Sequence, residues 1–399
     1  MAAAPASKTS AGSILELVRS GKARTRRDVQ DLTGLSRSTL SLRMSQLLEA
    51  GYVRESGQLS GSAGRPARLL SFNEEQQVIL AVDLGATHAH LAVLDGSGQV
   101  LVEATSAQRI DTGPDEILRY VTRRLGELLD RSGRTLSDVA GVGVGIPGPV
   151  RFDAQTPNHP PLMPGWDGYP VARRISETLK VPTFIDNDAN LMGLGEARTF
   201  YSDTDSLLFV KVGTGIGAGV ILRGAPERGT AGGAGDIGHV RIVTTPDARK
   251  CTCGAYGCLA TEASGSAIVR ALNESGRNVS SPAEVARLVL DDDPQATALV
   301  TRAGQLLGDV LATSVALLNP SVLVLGGSLG ASGPQFANAV RERVFERTVP
   351  LATRELIITT SNLGSSAAIH GARHMVIDQT FSADAVDQRL AATYTVAQA

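Results

Sequence analysis

Cys251-Thr252-Cys253-Gly254-Ala255-Tyr256-Gly257-Cys258 holds all three cysteines of the 399-residue chain. Two cysteines separated by one residue rarely meet in a relaxed disulfide, and an odd count would leave one over. Three thiolates on a glycine-punctuated loop instead converge on a soft or borderline metal, of which zinc is the usual occupant. A fourth ligand is then required, and His239 in Gly238-His239-Val240 is the best candidate. Among the other histidines, His159 has only a loop to recommend it. The competing reading is three reduced, buried cysteines acting as small hydrophobes. Packing gives no reason for such clustering, so the metal reading is preferred.

Upstream of this loop the texture is α/β. Val78 to Thr87 is an apolar strand ending in Asp83-Leu84-Gly85-Ala86-Thr87, and a second strand is expected at His90–Leu94. A strand running into a small-residue turn lets backbone N–H groups and a threonine hydroxyl approach phosphate oxygens. An ordinary hairpin fits the same five residues. The pattern repeats at Leu207 to Leu222 around Gly213-Thr214-Gly215-Ile216-Gly217, and again at Val322 to Ser328 around Gly326-Gly327, after a long helix expected over 297–318. Three such turns suggest two similar lobes facing one cleft. Between the first two, a short strand over 181–185 leads to Asp186-Asn187-Asp188-Ala189-Asn190. A carboxylate at a strand end beside two amides can hold a sugar hydroxyl and take its proton, or can simply cap a helix. Gly145-Ile146-Pro147-Gly148-Pro149 and Pro164-Gly165-Trp166 read as rigid loops lining a pocket. The single tryptophan there suits either a sugar ring or the core.

Residues 1–72 carry 11 Lys and Arg against 5 Asp and Glu, a balance of +6, whereas the rest carries 27 against 35, a balance of −8. A basic head on an acidic body points to nucleic acid at the front end. Three helices are expected over 13–51, the first capped by Ser10 or Ser13, the second by Thr25 and ended by Gly34, the third capped by Ser36. Leu40, Met44, Leu47 and Leu48 form one apolar stripe on the third helix. Ser36, Arg37, Ser38, Thr39, Ser41 and Arg43 are expected on its outer face and N-terminus, as donors for phosphates and base edges in a major groove. A two-stranded wing follows, whose Gly64-Arg65-Pro66 arm suits a narrow minor groove, with Arg68 expected as a further DNA contact. The whole reads as a winged helix-turn-helix for double-stranded DNA.

The composition is otherwise ordinary, with 42% hydrophobic and 20% charged residues. No apolar run of membrane-spanning length is present, the start lacks the features of a signal peptide, and reduced thiols suit the cytoplasm. The expected division is a disordered stretch over 1–9, the DNA-binding head over 10–72, a two-lobed body over 73–378, and a tail over 379–399 without strong pattern. The body's first lobe is expected over about 76–187 plus the final helix, and its second over about 188–362.

Together these motifs resemble the ROK family (repressors, open reading frames and kinases) over roughly residues 10–378. The resemblance rests on Asp83–Thr87, Gly145–Pro149, Asn187–Asn190, Gly213–Gly217, Asp236-Ile237-Gly238-His239 and Cys251–Leu259. It implies an actin/hexokinase-like pair of α/β lobes behind the winged head. It implies Asp188 as general base in a kinase or as its vestige, with Asn187, Asp188, Asp236 and His239 on the sugar. Asp83, Gly85, Thr87, Gly213, Thr214, Gly215, Gly326 and Gly327 would surround nucleotide phosphates, and His239, Cys251, Cys253 and Cys258 would bind structural zinc. Mg-ATP enters only if the chain is a kinase. Against the kinases' pattern, Asp236 replaces a glutamate, Ala260 replaces a sugar-holding glutamate worth about 1.5–3 kcal/mol, and Ala86 and His88 replace Gly and Lys. The expected protein is a sugar-responsive regulator, most simply a repressor, that binds a sugar or sugar phosphate. It would read a palindromic or inverted-repeat operator as a homodimer or homotetramer. The alternative is an ATP-dependent sugar kinase that retains a DNA-binding domain.

Overall fold

The computed structural model describes residues 9–58 and 68–396. The wing tip with Arg65 lies outside the described residues, as do residues 1–8, where a disordered start is expected.

The head is built from three capped helices. In α1 (Ala11–Arg19) Ser10 accepts the backbone N–H of Ser13, which settles the choice of cap. In α2 (Arg26–Thr33) Thr25 and Asp28 form a reciprocal capping box, and Gly34 ends the helix at φ 68°. Ser36 accepts from the N–H of Thr39 to open α3 (Arg37–Glu49). Each cap satisfies a backbone donor that the helix leaves orphaned, worth about 1 kcal/mol. The wing is the antiparallel pair β1 (Val53–Gln58) and β2 (Arg68–Phe72).

The body is one architecture used twice. The first sheet has the order β5-β4-β3-β6-β9 and comprises β3 (Val78–Leu84), β4 (His88–Asp95), β5 (Val100–Ala107), β6 (Val139–Ile146) and β9 (Thr183–Asn187). Between its strands lie α4 (Pro114–Arg131), the two-residue strands β7 (Val150–Arg151) and β8 (Thr156–Pro157), and α5 (Val171–Leu179). After α6 (Asp188–Phe200) the second sheet repeats the order as β12-β11-β10-β13-β14. Its strands are β10 (Ser206–Val212), β11 (Ile216–Leu222), β12 (Ala225–Glu227), β13 (Val322–Gly326) and β14 (Ile357–Thr360). In both sheets the first three strands form an antiparallel meander and the last two add in parallel. All seven residues of β3 and all five of β13 are buried, as strands covered on both faces require.

Helices α7 (Leu259–Ala263), α8 (Gly265–Glu274), α9 (Pro282–Leu290), α10 (Pro294–Leu318), α11 (Gly327–Gly330), α12 (Pro334–Arg347) and α13 (Pro350–Thr353) belong to the second lobe. The chain then returns to the first sheet as α14 (Ala367–Thr380), packed on β3, β6 and α6. Strand β9 starts two residues later than expected and runs through Asn187, because Lys180 turns left-handed (φ 59°) and Pro182 has no N–H for the ladder. Strand β4 is longer than expected by two residues at its start.

Residues after Thr380 correct the expectation of a patternless tail. They form α15 (Ala383–Val396), which lies against α1. Its Val386 and Leu390, with Phe381, join the head's core of Ile14, Leu15, Met44 and Leu47. The Phe381 ring meets Phe72 edge-on at 4.9 Å and Tyr52 at 5.5 Å, so the head is seated on the body by aromatic contacts. Trp166 is fully buried and donates its Nε1–H to the carbonyl of Ile110 at 3.0 Å. It is a core residue, and no sugar reaches it. Among the described residues no helix is long and apolar enough to cross a membrane.

Candidate functional site

The strand-to-helix junction at β9–α6 is dense with polar atoms, and nearly all are spent internally. Asn187 accepts the N–H groups of Ala189 and Asn190 on its Oδ1 and donates from Nδ2 to the carbonyl of Gly148. Its cap geometry therefore ties α6 to the Gly145–Pro149 loop. Asp186 receives Arg228 at 2.6 Å, and the Arg228 guanidinium lies 3.6 Å from the centre of the Phe152 ring.

Asp188, the expected base, is 5% exposed and meets Lys211 Nζ at 2.5 Å. Lys211 is the residue that sequence reasoning missed. It is the one charge in the otherwise apolar β10, and such a charge in a covered strand is a signal in itself. Asp83 lies close enough to influence both groups; its Oδ2 is 3.6 Å from His88 Nε2 and its Oδ1 is buried without a partner. Burial opposes the Lys211 charge, but Asp188 and Asp83 outweigh it and hold the ammonium protonated. Burial pushes the Asp188 carboxyl up, and Asp83 adds to that rise. Burial acts on Asp83 too, yet Lys211 and His88 draw its carboxyl below the usual range. One ammonium thus serves two buried carboxylates.

Two cavities lie in the body, neither lined by Asp83, Asp188 or Lys211. One, of about 630 Å³, is lined by Thr87, Thr214, Ser266, Arg270 and Asn273, so the two expected nucleotide threonines face one space. Packing accounts for Gly85, Gly326 and Gly327, whereas a Cβ at Gly213 would meet nothing within 4 Å. The His88 ring lies 2.1 Å from where a Cβ on Gly85 would stand, and the Gly85 N–H is already bonded to the carbonyl of His88. Gly213 and Gly215 pair within their own turn, Gly326 abuts the Phe209 ring, and Gly327 has φ 78° with its Cβ position 2.5 Å from the Val212 carbonyl oxygen.

The other cavity, of about 400 Å³, brings together Asn158, His159, Asp236 and His239 beside Cys253. Burial pushes the Asp236 carboxyl up, and His239 works against that rise. Asn158 and His159 were not expected as site residues. His159 reaches the cavity from a left-handed backbone (φ 45°), held by its N–H to Asp167 Oδ1 at 2.8 Å, a placement that no local pattern announces.

His239, Cys251, Cys253 and Cys258 present ligand atoms that all lie within 4.8 Å of one another. Cys253 and Cys258 Sγ are 3.7 Å apart, and Cys251 Sγ is 3.4 Å from His239 Nδ1. Tetrahedral zinc with Zn–S near 2.3 Å requires an S–S edge of about 3.8 Å, so the set fits a closed four-ligand ion. Asp236 Oδ1 stands 3.8 Å from His239 Nε2, on the side of the ring away from the thiols, where a carboxylate orients a ligating imidazole. Burial raises Cys258 to about 12, helped by the neighbouring thiols. Cys251 goes the other way: burial opposes ionisation, but bonds from Cys253 and Cys258 and the nearby His239 lower it to about 7.

In the head, Ser36, Arg37, Ser38 and Ser41 are exposed and Thr39 is half-buried. Arg43, expected on the outer face, sits one turn before Leu47 and is half-buried. Its Nη1 donates to Gln46 Oε1, and its Nε is buried without a partner. Arg68 is exposed but faces Glu55 at 3.5 Å, and Glu55 also holds Arg26 at 2.8 Å.

The ROK family model matches residues 79–379. The chain belongs to the ROK family. A xylose repressor of Caldicellulosiruptor bescii is 26% identical over 384 residues, covering 92% of this chain and 95% of that one. A glucokinase of Halalkalibacterium halodurans is 28% identical over 319 residues, covering 75% of this chain and 95% of the relative. The crystal structure of a ROK family transcriptional regulator, described as a homolog of the E. coli MLC protein, superposes with a TM-score of 0.78 at 23% identity, over 95% of this chain and 98% of that one. That likeness shows the fold: a winged head on an actin/hexokinase-like pair of lobes. The repressor's match extends over nearly the whole chain, whereas the kinase's covers only a length like that of the body.

Proposed function

We propose that this ROK chain is a sugar-responsive DNA-binding transcription regulator, a repressor of genes for carbohydrate uptake or metabolism. The observation that carries the reading is the pairing of an exposed polar face on α3 with a cleft whose base is tied up. Arg37, Ser38 and Ser41 face outward with the chemistry of groove contacts, whereas Asp188 is neutralised by Lys211 at 2.5 Å. A general base must be free to accept a hydroxyl proton, and an ammonium on the same oxygen opposes that. Ala260 and His88 add to the case. The effector is a sugar or sugar phosphate taken between Asp236, His239 and the β9–α6 junction. The operator is palindromic or an inverted repeat, read by a homodimer or homotetramer. Zinc held by His239, Cys251, Cys253 and Cys258 is structural, bracing the segment with Asp236 against α7.

Gel shifts on a duplex selected by the full-length chain, with candidate sugars and sugar phosphates, test this. Operator affinity is expected to change with at least one of them. Unchanged affinity with every sugar, together with normal DNA binding by Asp236→Ala, overturns the effector reading. The cavity shared by Thr87 and Thr214 favours one second reading, a sugar kinase with DNA binding attached. Mg-ATP with a hexose panel decides it: phosphorylation that Asp188→Asn abolishes would make the chain an enzyme.

A further inference from the structure

Three parts of the chain meet at one carboxylate. Asp378, near the end of α14, offers Oδ1 to Arg19 Nη2 at 2.9 Å and Oδ2 to Arg198 Nη2 at 3.1 Å. Arg19 is the last residue of α1 in the head; its other terminal nitrogen donates to the carbonyl of Phe381 at 2.9 Å, and its guanidinium lies 5.6 Å from the centre of the Phe72 ring. Arg198 stands in the last turn of α6, and its Nε donates to the carbonyl of Gly224 at 2.8 Å, in the turn between β11 and β12 of the second sheet. We propose that Asp378 is the relay by which movement at the cleft reaches the DNA-binding head, with Arg198 as its input and Arg19 as its output. The proposal rests on the effector reading above and assigns its regulation.

Helix α6 is built to carry such a movement. It starts at the Asn187–Asp188 cleft floor and delivers Arg198 in its last turn, about 15 Å away at the rise of an α-helix. Its backbone is interlocked rather than cushioned. A Cβ on Gly195 would stand 2.2 Å from the Ala367 carbonyl oxygen, one on Gly371 would stand 1.8 Å from that of Leu191, and one on Gly219 would stand 2.3 Å from that of Ala189. Helices in such contact shift as a body, because close-packed surfaces move between discrete arrangements. Helices α6 and α14 therefore move together, and what can draw the Arg198 guanidinium from Asp378 is its other bond, to the Gly224 carbonyl of the second sheet. When Arg198 withdraws, Asp378 Oδ2 becomes available to Arg19, whose planar fork can then engage both oxygens. The Asp378 and Arg198 side chains are 36% and 37% exposed, so their pair is water-screened and remakes readily.

The test uses the full-length chain, a duplex selected by it, and D-xylose, D-glucose, N-acetyl-D-glucosamine and glucose 6-phosphate as probes. In the unaltered chain one probe is expected to change operator affinity by about tenfold or more, within the usual range of coupling between sites. Arg198→Met leaves the Arg19–Asp378 pair intact. It is expected to bind that probe within about twofold of normal but to hold the operator near its probe-bound affinity without any probe, leaving a shift of about threefold or less. Arg198→Lys should retain part of the shift, and Asp378→Asn should lose it. A full shift in Arg198→Met, with probe binding intact, overturns the relay and leaves the effector reading standing. No shift with any probe in the unaltered chain overturns the effector reading, and the relay falls with it.

Discussion

Helices α3 and α6 are each 13 residues long, and each opens on a side-chain cap, Ser36 in one and Asn187 in the other. Their polar ends have opposite fates. Around Ser36 the residues Arg37, Ser38 and Ser41 stand exposed, with the Ser38 and Thr39 hydroxyls bonded to that of Ser36. Around Asn187 the carboxylates of Asp186 and Asp188 are buried and matched to Arg228 and Lys211. A helix start whose polar groups are exposed is a surface open to a partner, whereas one whose groups are matched inside is part of the frame. Substitutions near α6 should therefore register first as stability, and substitutions on α3 first as binding.

The largest effect expected from that contrast is at Lys211. Lys211→Met leaves Asp188 buried and unpaired, which costs about 3–5 kcal/mol, measurable by denaturant unfolding. The loss should depend on pH. Burial already holds the Asp188 carboxyl above its ordinary value of 3.8, and removing the ammonium raises it further. A carboxyl raised in the folded state disfavours folding once the pH exceeds the unfolded value, and that penalty is relieved as the pH falls through the folded value. The defect of Lys211→Met should thus be full at pH 7 and shrink towards pH 4. A pH-independent defect would break the assignment of Asp188 as the buried charge.

Gly371→Ala comes next. Its Cβ would strike the Leu191 carbonyl of α6, and overpacking of this kind costs about 1–3 kcal/mol. A lowered Tm is the readout, and an unchanged Tm would show that α6 and α14 are not interlocked. On α3, Arg37→Ala should weaken operator binding by about 1–3 kcal/mol if it reads a base edge, with Tm unchanged. A change in Tm without a change in binding would reverse the contrast between the two helices. The smallest effect sharpens the comparison directly. Ser36→Ala and Asn187→Ala each remove a cap worth about 1 kcal/mol, but only the former should also alter DNA binding.

Much of this was legible in the sequence where the determining contacts are local. The Leu40, Met44 and Leu47 stripe specifies α3 because a helix brings those positions to one face, and all three are buried. The cysteine cluster reads correctly as a convergent ligand set because its three thiols lie within eight residues, with a glycine turn between them. Long-range partners were not legible. Lys211 and Asp188 sit 23 residues apart on different elements, and only the packing of α6 against β10 brings them together. Helix α15 escaped notice because its stretch is rich in alanine and short polar residues, so among its described side chains only Val386 and Leu390 are buried. The Arg43 bond to Gln46, which leaves that arginine half-buried, is a side-chain choice that helical spacing does not announce.

The seat of the head has a consequence in time. Arg19 bonds to the carbonyl of Phe381, 362 residues further along the chain. At ordinary rates of synthesis that separation corresponds to roughly 20–70 s between the emergence of α1 and the emergence of its support. The head's own helices are complete long before then, but Phe381, Val386 and Leu390 are not yet there to hold it. During that interval each new molecule carries a reading head with no fixed bearing on the body that is meant to govern it.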